Sequence, residues 1–336
     1  MFKSVFHLGC FVLALQLAGA ASTPRPSVGV RTETFLGWEN SLVLSGGDCR
    51  AMIVPGIGGR IAHYSLNGDN VIYQEPGSGG KTLATLPDGF QAGGYQCDLG
   101  PELRVVSDHK RLWLGPYAWQ PAGVNGVALQ SEPDSGVGVQ MEKEIVLDPD
   151  TGELGLSQRM KNVSAAETSY CLWDRTLCKG GGFALLPLSK KSRFKDGWSI
   201  HSQAEGRYVS GSNKTTDPRL KAIDGVLIIE AKGPPLKVGT DSDAGWIAYT
   251  VGRLLFIKFF PVARKASSTD GGNTVEFYCD ERLAELEPLS PEVKLPPGQT
   301  YSFPEKWGLS DLERTVLSAA EARALVKRLP RSPFQK

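Results

Sequence analysis

The stretch Phe277-Tyr-Cys-Asp-Glu-Arg-Leu-Ala-Glu-Leu-Glu-Pro-Leu-Ser-Pro-Glu-Val-Lys-Leu-Pro-Pro-Gly-Gln299 places acidic side chains in what otherwise reads as sheet core. In an extended segment Leu283, Glu285 and Glu287 share one face while Ala284 and Leu286 share the other, so two carboxylates project from a single side. Pro288 and Pro291 end the run. A carboxylate at a strand end beside a rigid turn is held still enough to serve as a general base, and Glu287 has that position. A solvated strand face accounts for the same parity.

The whole chain supports a β reading of this stretch. It has 336 residues, 41% hydrophobic and 22% charged, and its net charge of +1 gives no electrostatic bias toward nucleic acid or an anionic membrane. Its 39 Gly and 22 Pro are scattered, and almost no long 3.6-residue period survives between them, so the chain reads as all-β, as one large domain or two smaller ones. Residues 1–20 combine Lys3, an apolar run from Val5 to Leu17 and the small-residue site Ala18-Gly19-Ala20, the pattern of a cleavable secretory signal. A flexible leader to residue 29 follows. No later stretch is long and apolar enough to insert in a bilayer, so a secreted or periplasmic protein is expected. Loss of Cys10 with the signal leaves Cys49, Cys97, Cys171, Cys178 and Cys279, an odd number with no Cys-x-x-Cys and no close histidine, which argues against zinc. Nothing in the sequence asks for a metal or an organic cofactor.

Taken in order, residues 40–45 and 49–55 read as a hairpin around Gly46-Gly47-Asp48, followed by residues 56–66 and a short strand 71–73. Gly58-Gly59 permits a close approach that would aim Arg60 and His63 at a ligand. Residues 75–102 read as a long loop carrying Gln96, Asp98 and Glu102. Strands are expected at 111–116, 124–130, 137–147, 155–160, 168–178, 183–187, 226–231, 246–250, 253–260 and 300–309, with a solvated excursion over 189–220. Asp174 and Arg175 interrupt an apolar strand, which is costly unless they are partnered. Lys258 shares a face with Leu254, Phe256 and Phe260, so a desolvated ammonium facing an acid is expected there. Ser310-Asp-Leu-Glu313 reads as a capping box opening a helix over 310–328.

Three groups of residues carry a family resemblance: Val54-Pro-Gly-Ile-Gly-Gly-Arg-Ile61; Leu172-Trp-Asp-Arg-Thr176 with Gly182-Phe-Ala-Leu-Leu-Pro187; and Glu285-Leu-Glu-Pro-Leu-Ser-Pro291 with Leu295-Pro-Pro-Gly-Gln299. They resemble the galactose-mutarotase-like superfamily, and more closely a branch of it found in secreted bacterial proteins. The resemblance implies a β-supersandwich over residues 30–309, closed by the C-terminal helix. In the aldose 1-epimerases of that superfamily a late glutamate takes the proton from the anomeric hydroxyl and a central-strand histidine protonates the ring oxygen. The glutamate is similar to Glu287. The histidine falls near Arg175, a poor proton donor but a good anchor for hydroxyls or a carboxylate. His63 or His109 would supply the enzymes' second histidine. The resemblance implies Glu287 and the Arg175 position for the chemistry; with His63 these are the candidate catalytic residues, and the residues read above, Arg60, Asp98, Asp174, Lys258 and Glu285 with Trp246, are expected to grip a sugar or uronic-acid ligand on one concave face of a monomer. An exported epimerase, a non-catalytic sugar binder with a tryptophan stacked on the ring, and a structural envelope protein are the competing functions.

Overall fold

The structure is a computed structural model, and it describes residues 29–87, 91–102, 108–204, 207–209, 216–263 and 269–335. The expected signal over 1–20 and the leader as far as residue 28 lie outside the described residues. Among the described residues three antiparallel sheets carry the fold: one of five strands from the first part of the chain, one of ten and one of eight. The ten-stranded sheet contains the clearest period-two segments. Val139–Leu147 and Leu154–Asn162 alternate buried and half-exposed residues along their whole length. Asp148, Asp150, Thr151 and Gly152 make the turn between them, with the Asp148 carboxylate accepting from the Asp150 and Thr151 amides. Asp148 is held below the ordinary carboxylate range chiefly by the Thr151 amide.

The ten- and eight-stranded sheets pack face to face. Their shared core includes Phe256, Phe260, Phe303 and Trp307 from one sheet and Leu172, Val238, Phe277 and Leu286 from the other. The far side of the ten-stranded sheet is also apolar, with Leu185, Ile228, Leu255, Ile257 and Phe259 covered by Ala322 and Leu325 of the C-terminal helix and by Leu312. Both faces of that sheet are thus buried, which is why Leu254–Phe259 is buried at every position and shows no alternation.

Five readings of the elements are corrected. The C-terminal helix is Ala319–Leu325, capped by Ser318, whose hydroxyl accepts from the Glu321 amide; Ser310 cannot cap a helix because Leu254 and Leu255 pair with Asp311 and Ser310 in the strand Thr300–Asp311. The expected long loop 75–102 ends in the strand Tyr95–Gly100, paired with Thr168–Lys179. Residues 111–116 form no strand; Lys110–Leu114 is a short helix that buries Leu112 and Leu114. The excursion 189–220 contains the strand Ser199–Ala204, in which His201 is buried. Residues 71–73 reach the sheets through an isolated bridge, Ile72 to Cys178, while the strand proper is Asp69–Asn70. No helix among the described residues is long and apolar enough to cross a membrane.

Candidate functional site

Strand register alone assembles the site on the outer face of the eight-stranded sheet. Residues opposite each other across a ladder point the same way. Trp173 pairs with Asp98, Leu177 with Glu285, Glu285 with Tyr278, Glu287 with Glu276, Tyr278 with Lys237, and Lys237 with His201. Trp173 and Arg175 lie two apart on the central strand, so one face carries Asp98, Trp173, Arg175, Glu285, Glu287, Glu276, Lys237 and His201. A cavity of about 240 Å³ opens on it, lined by Glu102, Trp173, Arg175, Lys237, Tyr278, Glu285, Glu287 and rim residues that include Asp280 and Arg282.

Glu287 lines this cavity although its side chain is almost wholly inaccessible. Its Oε2 accepts from Trp173 Nε1 at 2.8 Å and from Lys237 Nζ at 3.1 Å. Its Oε1 is buried without a hydrogen-bond partner. Burial pushes the carboxyl up to about 7 against the pull of Lys237, with Glu276 and Glu102 adding to the rise. Lys237 is shared: its ammonium also contacts Glu102 and stands 3.1 Å from Glu276. Three carboxylates around one buried ammonium hold its proton firmly, and the Lys237 pKa lies well above the usual lysine value in spite of desolvation. Glu276 is itself held from behind, accepting from Asn273 Nδ2 at 2.8 Å, and Asn273 lies 3.1 Å from His201 Nε2.

A second set of charges flanks the first. Arg175 lies 3.6 Å from Asp98 and 3.6 Å from Glu285, and donates to Gln91 at 3.2 Å. Burial works to raise Asp98, but its hydrogen bond to His109, the His109 and Arg175 charges and the Leu99 amide together hold it below the ordinary carboxylate range. Glu285 is pushed up to about 7 by burial, opposed by Arg175 and reinforced by Glu287. The Arg175 guanidinium and the Lys237 ammonium lie 4.9 and 4.7 Å from the Trp173 ring centre. Because the residue is only 7% exposed and two cations cover its ring, Trp173 anchors Glu287 and does not offer a bare stacking face for a sugar.

Of the expected site residues, Glu287, Glu285, Arg175 and Asp98 come together on this face. The others do not, each for a reason of register or packing. Asp174 points to the opposite side of the strand from Arg175, into the sandwich, where it binds Lys258. Lys258 also contacts Thr176 and Glu305, so the desolvated ammonium does face acids, but inside the core and away from the cavity. Arg60 is fully buried, donating to Gly93 O, Gln96 and Trp113 O, and so clamps the Gly93 backbone, the strand Tyr95–Gly100 and the helix Lys110–Leu114 together. His63 packs its ring edge against Phe35, where burial lowers it to about 4. Trp246 packs with the apolar cluster beneath the C-terminal helix. Lys237 and Glu276 are not among the residues expected from the sequence; Val275-Glu-Phe-Tyr-Cys shows a period-two signal that points to Glu276, whereas Leu236-Lys-Val is too short to point to Lys237.

No family model matches this chain, and no curated protein does. Solved structures are similar in fold. The galactose 1-epimerase from Lactobacillus acidophilus NCFM superposes with a TM-score of 0.54 at 10% identity, over 85% of this chain and 100% of that one. A galactose mutarotase-like protein from Lactobacillus casei ATCC 334 gives 0.55 at 9%, over 80% and 100%. One from Clostridium acetobutylicum gives 0.53 at 8%, over 85% and 99%. At such identities the likeness concerns architecture, and together with the sheets described above it shows that this chain has the galactose mutarotase-like β-sandwich fold.

Proposed function

We propose that this protein is an exported, aldose 1-epimerase-like sugar isomerase in which Glu287 is the general base. One observation carries the reading: a buried, cavity-lining carboxylate has one oxygen fixed by Trp173 and Lys237 and the other without a partner. A carboxyl raised toward neutrality has a basicity suited to taking a hydroxyl proton near neutral pH. The named epimerase among the solved structures supports the choice of reaction, and the apolar run of residues 5–17 followed by Ala18-Gly19-Ala20 supports export. Four carboxylates and three cations line the cavity, and Glu276 adds a fifth carboxylate at Lys237. With Lys237 and Arg175 already facing carboxylates, the cavity has no surplus of cations to meet a uronic carboxylate, which favours a neutral aldose.

The test is anomer exchange followed by NMR on freshly dissolved aldoses, with uronic acids as the comparison. Glu287→Gln keeps size and hydrogen bonding but cannot accept a proton, so exchange should fall by a factor on the order of a hundred or more while binding survives. A wild type that leaves every aldose at its spontaneous rate would sink this reading. It would leave a non-catalytic sugar binder, which one observation favours: no histidine lines the cavity among the described residues.

A further inference from the structure

Anomer exchange needs a proton donor for the ring oxygen as well as a base, and this face lacks the usual one. His201 is buried behind Asn273 and Glu276, and burial lowers it to about 3. His109 is bound to Asp98 outside the cavity lining. Arg175 stays protonated, and Lys237 is locked among three carboxylates. Glu102 is bound to the Lys237 ammonium and Asp280 to Arg282 at the rim, which leaves Glu285 and Tyr278 as donors among the groups that line the cavity.

We infer that Glu285 is the general acid, and that Glu285 and Glu287, two apart on one face of the strand Leu283–Pro288 and both lining one cavity, work as a protonated and ionised carboxyl pair. The inference rests on the isomerase reading above and deepens it. The geometry separates the two roles by their anchors. Glu287 has two donors on Oε2, Trp173 and Lys237, which favour its ionised form. Glu285 has only Arg175 at 3.6 Å, beyond hydrogen-bond distance and shared with Asp98. Facing Glu285 are Arg175 from the central strand, Tyr278 across the ladder, Glu287 beside it, and Lys237 and Glu102 at longer range. Burial and the negative neighbours keep Glu285 protonated further toward neutral pH than a free glutamate.

In the step itself Glu287 takes the proton of the anomeric hydroxyl while Glu285 gives its proton to the ring oxygen. The C1–O5 bond breaks, the C1–O1 bond becomes a carbonyl, and the open-chain aldehyde forms with no net change of charge or oxidation state. Rotation about C1–C2 presents the other carbonyl face. The O5 hydroxyl then returns its proton to Glu285 as O5 attacks C1, and Glu287 reprotonates O1.

Two measurements test this. In the pH profile of kcat/KM, Glu285→Gln should lower the rate roughly a hundredfold and remove the alkaline limb, with KM little changed. Glu285→Asp should restore part of the rate, and Tyr278→Phe should keep both limbs. Loss of the alkaline limb in Tyr278→Phe, or an active Glu285→Gln within threefold of wild type, overturns the assignment. Independently of turnover, carbon-13 NMR of glutamate-labelled protein at pH 6 should show a protonated carboxyl signal that Glu285→Gln abolishes. An active wild type with both carboxyls ionised at pH 6 refutes the pairing alone. A wild type inactive on all aldoses refutes the isomerase reading and, with it, Glu285 as an acid, whatever the NMR shows.

Discussion

Glu287 is defined by two neighbours that hold the same oxygen, and each can be removed without removing the carboxylate. Trp173→Phe keeps a ring beneath Arg175 and Lys237 but withdraws the indole donor. An ionised, buried acceptor then loses one of its two partners. The variant should be less stable at pH 8 by about 1–3 kcal/mol, seen as a lower urea midpoint at unchanged slope, and closer to wild type at pH 5, where Glu287 is protonated. Lys258 makes the contrasting case. It was expected at a ligand, but its partners Asp174 and Glu305 are wholly buried between the sheets. Burial and Glu305 already push Asp174 well above the carboxylate range with Lys258 beside it. Lys258→Met therefore leaves an uncompensated core carboxylate, and should cost about 3–5 kcal/mol at pH 8. The native Asp174 pKa exceeds the unfolded one, so that cost should shrink as the pH falls toward 4. Sugar binding by the folded variant should match wild type; a folded variant that has lost binding would return Lys258 to the site.

At the scale of elements, what was legible depended on whether polar and apolar residues alternate along a strand without turn residues breaking the pattern. Leu283–Pro288 was readable from Glu285 and Glu287 alternating with Ala284 and Leu286, and the strands on either side of Asp148–Gly152 were readable in the same way. The central strand showed its two faces through Trp173 and Arg175 against Leu172 and Asp174, but parity cannot say which face looks into the sandwich; packing does. Leu236–Thr240 is five residues long and follows Pro234-Pro235, too little pattern to outweigh the turn signal, and with it went Lys237. Tyr95–Gly100 was hidden between Gly93-Gly94 and Pro101, whose turn signals outweigh the alternation of Tyr95, Cys97 and Leu99 with Gln96 and Asp98. Gly239 shows how closely such an element is fitted. A Cβ there would overlap the Nδ2 and Cγ atoms of Asn273, and Asn273 supports both Glu276 and His201 from a buried position. Gly239→Ala should destabilise by roughly 1–3 kcal/mol through overpacking, with no charged residue changed. Urea midpoints check this, and a variant as stable as wild type would mean that Asn273 can move aside freely.

For the whole molecule, the decisive feature is how much charge lies inside a β-sandwich and which way each group moves. Burial raises Glu276, Glu285 and Glu287 to about 7 each, whereas it lowers His63 to about 4 and His201 to about 3. A carboxyl whose folded pKa is raised binds protons on folding, so its contribution is unpenalised below the unfolded value of 4.5 and is lost as the pH climbs through about 7. A histidine whose folded pKa is lowered does the reverse. Its neutral form is free above the unfolded value of 6.5, and stability is lost as the pH falls through about 4 and then 3. Asp98, which is depressed, adds to the loss on the acid side. Between pH 4.5 and 6.5 the two sets oppose each other; above 6.5 the raised carboxyls act, Asp174 among them, and below 4.5 the histidines act together with the depressed carboxyls Asp98 and Asp148. Stability should therefore peak in that middle window. A single raised carboxyl, once ionised, costs about 1.4 kcal/mol for every pH unit that separates its folded pKa from its unfolded one. Because the three share neighbours, the fall from pH 6 to pH 8 should be on the order of 3 kcal/mol and not three times that. Urea midpoints at pH 4, 5, 6, 7 and 8 measure the curve. Glu276→Gln should flatten its alkaline side, since Glu276 lies behind Lys237 and a neutral side chain there removes one of the three carboxylates crowding that ammonium. A midpoint that climbs steadily from pH 5 to pH 8 would show that Lys237 and Arg175 keep all three carboxylates ionised, and the face would then be a settled ion-pair network with no carboxyl left to give up a proton.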